Sequence, residues 1–115
     1  MKSGERSRKT LDHYELQGRN VLRLLAEEHS SPTLAHYVEE GRELHREWCR
    51  TVFAPALKPL SGVARERRLA QLVAVCDVYT WKLLRLDSGL SRRQTQIALH
   101  ELLGPLVTSH RQSTP

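Results

Sequence analysis

A chain of 115 residues with net charge +5 and an isoelectric point near 9.7 is long enough for one domain. It can bury roughly 65% of its unfolded surface, enough for a core that needs neither disulfides nor metals. No apolar run approaches the roughly 20 residues that span a bilayer, and no secretory leader pattern opens the sequence, so a cytoplasmic protein with no membrane partner is expected.

The first ten residues, MKSGERSRKT, set Lys2, Arg6, Arg8 and Lys9 against Glu5 and so carry three of the five net positive charges. The expectation over 1–10 is a disordered basic tail. Such a tail touches phosphates but holds no register, so no specific DNA binding by this chain alone is expected. Thr10 then serves as N-cap for a helix to about His29, with Leu11, Tyr14, Val21, Leu22, Leu24 and Leu25 apolar. Gly18 interrupts it at a cost of about 1 kcal/mol relative to Ala. His29-Ser30-Ser31-Pro32 is a stop and restart, with Ser31 as N-cap and Pro32 at the first helical position.

From there Leu34, Tyr37, Val38, Leu44, His45, Trp48, Cys49, Val52 and Phe53 keep the i, i+3, i+4 rhythm, with Gly41 dividing a short helix from a longer one. Pro55 and Pro59 end it, and Ser61-Gly62 starts the next turn. Residues 64–87 read as one helix without a polar face. Leu69, Leu72, Val73, Cys76, Thr80 and Leu83 form one stripe, and Val75, Tyr79 and Leu86 a second. A helix apolar on two sides needs two covers, and the second expected cover is another subunit. Asp77 breaks the run, where an unpaired buried carboxylate would be costly, so an internal salt bridge to His45, His13, Arg42 or a partner's arginine is expected.

Ser91 caps a last helix with Gln94 three residues on, and Gly104-Pro105 should stop or kink it, leaving 108–115 frayed. Its leucine stripe, Leu99, Leu102, Leu103 and Leu106, is expected to join Val75 and Leu86 in a homodimer seam. No alternating strand pattern, repeat or glycine-rich phosphate loop occurs. The fold class is all-α, an antiparallel bundle of four to six helices over residues 11–107.

Polar tips on apolar helical walls mark a possible small-molecule pocket: Tyr14 and Leu22 on the first helix, His45, Trp48, Cys49 and Val52 on the second, and Cys76, Tyr79, Thr80 and Leu83 on the long one. Ordinary core packing is the competing reading of each of these residues alone. The two cysteines have no close partner in sequence; a reduced protein accounts for them, with a single buried disulfide as the alternative. His45 and Cys49, four apart, make only two ligands, so no metal and no cofactor are expected. With no nucleophile elbow, no HExxH and nothing in a helix to activate a Cys49–His45 pair, an enzyme is not expected.

Three stretches, HYELQGRNVLRLLAEE, EEGRELHREWCRTVFAPAL and RERRLAQLVAVCDVYTWKLLRLDSGLSRRQT, together resemble the C-terminal regulatory domain of TetR-type transcriptional regulators. The resemblance covers about residues 11–107 and is strongest at LHREWCRTVFAPAL and DVYTWKLLR. It implies an effector pocket among the helices and a dimer built by the last two. The helix-turn-helix of about 50 residues that precedes such domains has no counterpart here, so DNA binding does not carry over to this chain. The implied function is effector sensing and dimerisation for a TetR-like repressor, through a small apolar or amphipathic ligand. The alternative is a ligand-free helical module that pairs with a full-length regulator.

Overall fold

Residues 3–108 are described by the computed structural model; Lys2 and residues 109–115, part of the end expected to fray, lie outside them. Within that range the chain is helical and no strand occurs. The helices are α1 (Ser3–Ala26), α2 (Pro32–Val52), α3 (Ala54–Leu57), α4 (Gly62–Val75), α5 (Val78–Trp81) and α6 (Arg92–Val107). A single 3-10 turn, Glu28–Ser30, joins α1 to α2, and a π-helical stretch, Lys82–Asp87, continues α5.

Two of the expected caps are in place. The Ser31 hydroxyl accepts from Leu34 N–H at 3.1 Å with Pro32 opening α2, and the Ser91 hydroxyl accepts from Gln94 N–H at 3.1 Å. Gly41 does not divide α2, and α6 runs through Gly104-Pro105 to Val107. Gly89, at φ 72°, takes the left-handed conformation that turns the chain after the π-helical stretch.

The expected N-terminal tail is helix. From Ser3 onward α1 is continuous, and Arg6, Ser7 and Thr10 are buried along with Leu11 and Tyr14. These five residues recur at helical spacing, so a core-facing stripe exists where composition alone reads as polar. Arg6 can serve in it because its methylene stem packs while its guanidinium lies 5.2 Å from the Phe53 ring centroid. Thr10 is accordingly an internal residue rather than a cap.

The expected single helix over 64–87 is broken. Cys76 leaves helical geometry, Asp77 is extended at φ −80° and ψ 154°, and its carboxylate accepts from Tyr79 N–H at 2.8 Å as the cap of α5. Asp77 therefore sits at a helix start, half-buried, where a carboxylate is favoured. Of the partners expected within the chain, none forms a salt bridge with it. Arg42 instead forms a two-pronged bond to Glu28 (2.8 and 3.0 Å), and His45 bonds to a backbone carbonyl.

The break also takes much of the apolar surplus into the core of one chain. One core cluster contains Cys49, Phe53, Leu57, Leu72, Cys76 and Leu103; the other contains Leu11, Tyr14, Val78, Trp81 and Leu99. Val75 packs against both. Leu99 and Leu103, expected in a dimer seam, are each 1% exposed inside this core, and Leu86 and Leu106 pack against it. Of the expected seam residues, Leu102 alone stays largely open, at 46%.

The two clusters hold different helices. Phe53, Leu57 and Leu72 fasten α2 and α3 to α4, while Trp81, Leu11 and Leu99 fasten α1 to α5 and α6. Trp81 is the centre of the second contact. Its indole Nε1 donates to Glu15 at 2.9 Å, and Arg85 reaches the same carboxylate at 2.9 and 3.2 Å. Gly18 faces the flat of the indole so closely that an added Cβ would lie 2.5 Å from a ring carbon. A glycine that costs helix propensity is thus required by packing.

Gly18→Ala should therefore lower stability by about 1–3 kcal/mol, against the sign that helix propensity predicts, because the tethered indole has no room to retreat. Urea unfolding of the two proteins checks this; an unchanged or raised midpoint would contradict the packing argument. Glu15 gives a second test. Burial alone would raise its pKa, but the bonds from Arg85 and Trp81 outweigh burial and set it below the ordinary 4.5. A depressed folded-state pKa contributes stability that is present above the unfolded value and lost as the pH falls through the folded one. Glu15→Gln should hence unfold more easily at neutral pH and show a flatter acid limb below about 4.5, measured as melting temperature against pH.

Candidate functional site

α1 rests mainly on the Trp81 cluster and α2 on the Phe53 cluster, and beyond the end where Arg6 meets Phe53 the hairpin they form stands open. Between them lies a cleft of about 820 Å³ whose floor is the end of α4 and the start of α5. Along α1 the lining passes from Lys9, Thr10, His13 and Tyr14 to Val21, Leu24 and Leu25. Along α2 it includes Tyr37, Val38, Gly41, Leu44, His45 and Trp48, with Glu40, Arg42 and Arg46 at the edge. Val73, Cys76, Asp77, Val78 and Tyr79 complete it.

The floor is held by side chains that collect the backbone carbonyls left open where α4 stops. The last carbonyls of any helix lack intrahelical partners. Here Tyr14 Oη donates to Cys76 O at 2.9 Å, His45 Nε2 donates to Val73 O at 3.2 Å and Thr80 Oγ1 donates to Ala74 O at 2.5 Å. The carbonyl can only accept, which fixes the Nε2–H tautomer of His45 in this contact. Burial, reinforced by the Asp77 charge and the neighbouring thiols, pushes the Tyr14 phenol far above its ordinary value and keeps it a neutral donor. The His45 ring also stacks on Trp48 at 6.3 Å, and Trp48 meets Phe53 edge-on at 6.0 Å.

Five of the ten residues expected in a pocket are brought together on the cleft: Tyr14, His45, Trp48, Cys76 and Tyr79. The other five are elsewhere. Leu22 packs against the Trp81 cluster, Val52 against the Phe53 cluster, and Cys49 is fully buried behind Cys76. Thr80 turns its hydroxyl back to α4, and Leu83 is 58% exposed on the π-helical stretch. The misplacement of Thr80 and Leu83 follows from the break at Asp77, which rotates everything after it away from the face of α4.

Missed were Lys9, His13 and the apolar end at Val21, Leu24, Leu25 and Val38. The i, i+3, i+4 spacing of Val38, Gly41, His45 and Trp48 would have found the α2 wall, had Gly41 been read as continuing the helix. Chemically the cleft offers area and a few orienting groups. His45 and Cys49 do not form a reactive pair, since one bonds to Val73 and the other faces Cys76. Among the described residues no cluster of three or more His, Cys, Asp or Glu converges to hold a metal, and no helix is long and apolar enough to cross a membrane.

No family model, curated protein or solved structure matches this chain.

Tyr14→Phe should cost about 1–2 kcal/mol while leaving the ring's packing intact, because the buried Cys76 carbonyl loses its donor. Chemical unfolding monitored by circular dichroism reads the loss. Equal stability would show that the phenol hydroxyl is not what secures the floor.

Proposed function

We propose that this chain is the effector-sensing domain of a TetR-like transcriptional regulator, with the cleft between α1 and α2 as its ligand site. The observation that carries the reading is the cleft itself. Its volume, about 820 Å³, lies within the roughly 300–1,000 Å³ of small-molecule sites, and it combines apolar walls with a few polar tips. The lining is graded along α1 from cationic and polar to aliphatic, which suits an amphipathic occupant lying parallel to the helix. The sequence resemblance over residues 11–107 adds the regulatory role.

In this reading the ligand selects one separation of α1 and α2, and only its difference in affinity between separations does work. In an intact regulator that movement would change the spacing of the DNA-reading heads. The homodimer that the resemblance implies forms part of the proposal, with exposed Tyr79, Leu83 and Leu102 as its apolar contacts in place of the buried Leu99 and Leu103. The module that only pairs with a relative needs no cleft.

The test is a panel of apolar and amphipathic small molecules, read by thermal shift and by Trp48 fluorescence, with Trp48→Phe as the control for Trp81. A ligand at 100 times its Kd should stabilise the protein by about 2.7 kcal/mol. Gly41→Phe should abolish both responses, because a side chain there enters open space beside the cleft. A panel without any shift, or binding that survives Gly41→Phe unchanged, would remove the cleft from the reading.

A further inference from the structure

Cys49 on α2 and Cys76 at the end of α4 are far apart in sequence yet adjacent in the core. Both are free, at 0% and 1% exposure, and they belong to one apolar cluster. The two thiols lie close enough to shift each other's ionisation, and the Thr10 hydroxyl acts likewise on that of Cys76. Packing alone does not need two thiols in contact; either position would accept another small apolar residue. Cys76 is among the residues that line the cleft and Cys49 is not, so a small solute in the cleft approaches Cys76 first.

We propose that Cys76 and Cys49 are a peroxide-sensitive dithiol, oxidised by a hydroperoxide entering through the cleft to an intramolecular disulfide that ties α2 to the break between α4 and α5. The cleft sets the roles, since Cys76 lines it and Cys49 does not. The neighbouring Cys49 thiol lowers the pKa of the Cys76 thiol, with burial opposing it, and the same contact, together with burial, pushes the Cys49 thiol up. Cys76 is the attacking sulfur and Cys49 the resolving one.

The chemistry balances without any further reagent. The Cys76 thiolate attacks one peroxide oxygen, the O–O bond breaks as the S–O bond forms, and the departing oxygen, which keeps its own hydrogen, takes up the thiol proton and leaves as water. Cys76 is then a sulfenic acid. The Cys49 sulfur attacks that sulfur, the S–O bond breaks, the S–S bond forms, and hydroxide departs with the Cys49 proton as a second water. Two thiols have lost two electrons and two protons, and hydrogen peroxide has been reduced to two waters. The inference does not depend on which molecule normally occupies the cleft.

The experiment exposes the full chain, native and reduced, to hydrogen peroxide, quenches it in denaturant with an alkylating agent, and reads intact mass and free thiols. The expected result is loss of both thiols in a single chain about 2 Da lighter, restored by dithiothreitol. Cys49→Ser should stop at a Cys76 sulfenic acid that dimedone labels, and Cys76→Ser should keep its Cys49 thiol. If the native chain retains both thiols at a dose that oxidises the guanidinium-unfolded chain, or links only to other chains, the proposal is overturned. That comparison needs no variant to fold. Preferential dimedone labelling of Cys49 in the Cys76→Ser protein would overturn the assigned roles.

Discussion

The structure depends on how one helix end is finished. Where α4 stops at Val75, three other elements supply donors to the carbonyls around its end: Tyr14 from α1 to Cys76, His45 from α2 to Val73 and Thr80 from α5 to Ala74. An unpartnered buried carbonyl costs roughly 1–3 kcal/mol, so the buried bond from Tyr14 is the strongest constraint of the three. Asp77 completes the junction by capping α5 two residues later. A single point in the chain thus sets the position of α1, α2 and α5 together.

That junction explains why the core is divided. A straight helix over 64–87 would carry its two apolar stripes along one rod, and one stripe would need a second molecule to cover it. Breaking the rod at Cys76-Asp77 lets α4 face α2, α3 and α6 while α5 faces α1 and the π-helical stretch after it reaches α6. Val75 sits where the two clusters meet. Each long N-terminal helix then has its own anchor, Phe53 for α2 and Trp81 for α1, and the gap between the anchors becomes the cleft. The cleft is a consequence of packing in two places rather than of missing side chains.

Much of this was legible in the sequence, and the failures have physical causes. Apolar spacing is a direct record of burial, so the helical class and the caps at Ser31 and Ser91 could be read without coordinates. Part of the cleft lining could be read as well, because Tyr14, His45 and Trp48 are polar or aromatic groups on apolar faces. The N-terminal turns were not legible because Arg6, Ser7 and Thr10 are polar by composition. The cover of Arg6 includes an aromatic ring, Phe53, that lies more than forty positions away in the sequence. Asp77 was read as a charge within a helix because apolar periodicity continues across it. A carboxylate followed by a helical start is equally a cap, and only the donors that reach Val73, Ala74 and Cys76 decide between them. Leu99 and Leu103 follow from the same error, since an unbroken rod leaves them without a partner in their own chain.

The junction also links the cleft to the thiol pair. Cys76 accepts the Tyr14 bond at its carbonyl, is among the residues lining the cleft, and sets its thiol beside that of Cys49. A bond between the sulfurs would fix α2 against the α4 end, and an occupant of the cleft bears on the same two elements. Two ligands or modifications acting on one element are coupled reciprocally: whatever oxidation does to occupancy, occupancy does to oxidation, in free energy and with the same sign. The size of that coupling depends on how far α2 moves relative to Tyr14 when the sulfurs join, since a movement that the His45–Val73 bond absorbs leaves the cleft unchanged. His45 is therefore the residue through which the wall, the floor and the dithiol are most directly compared.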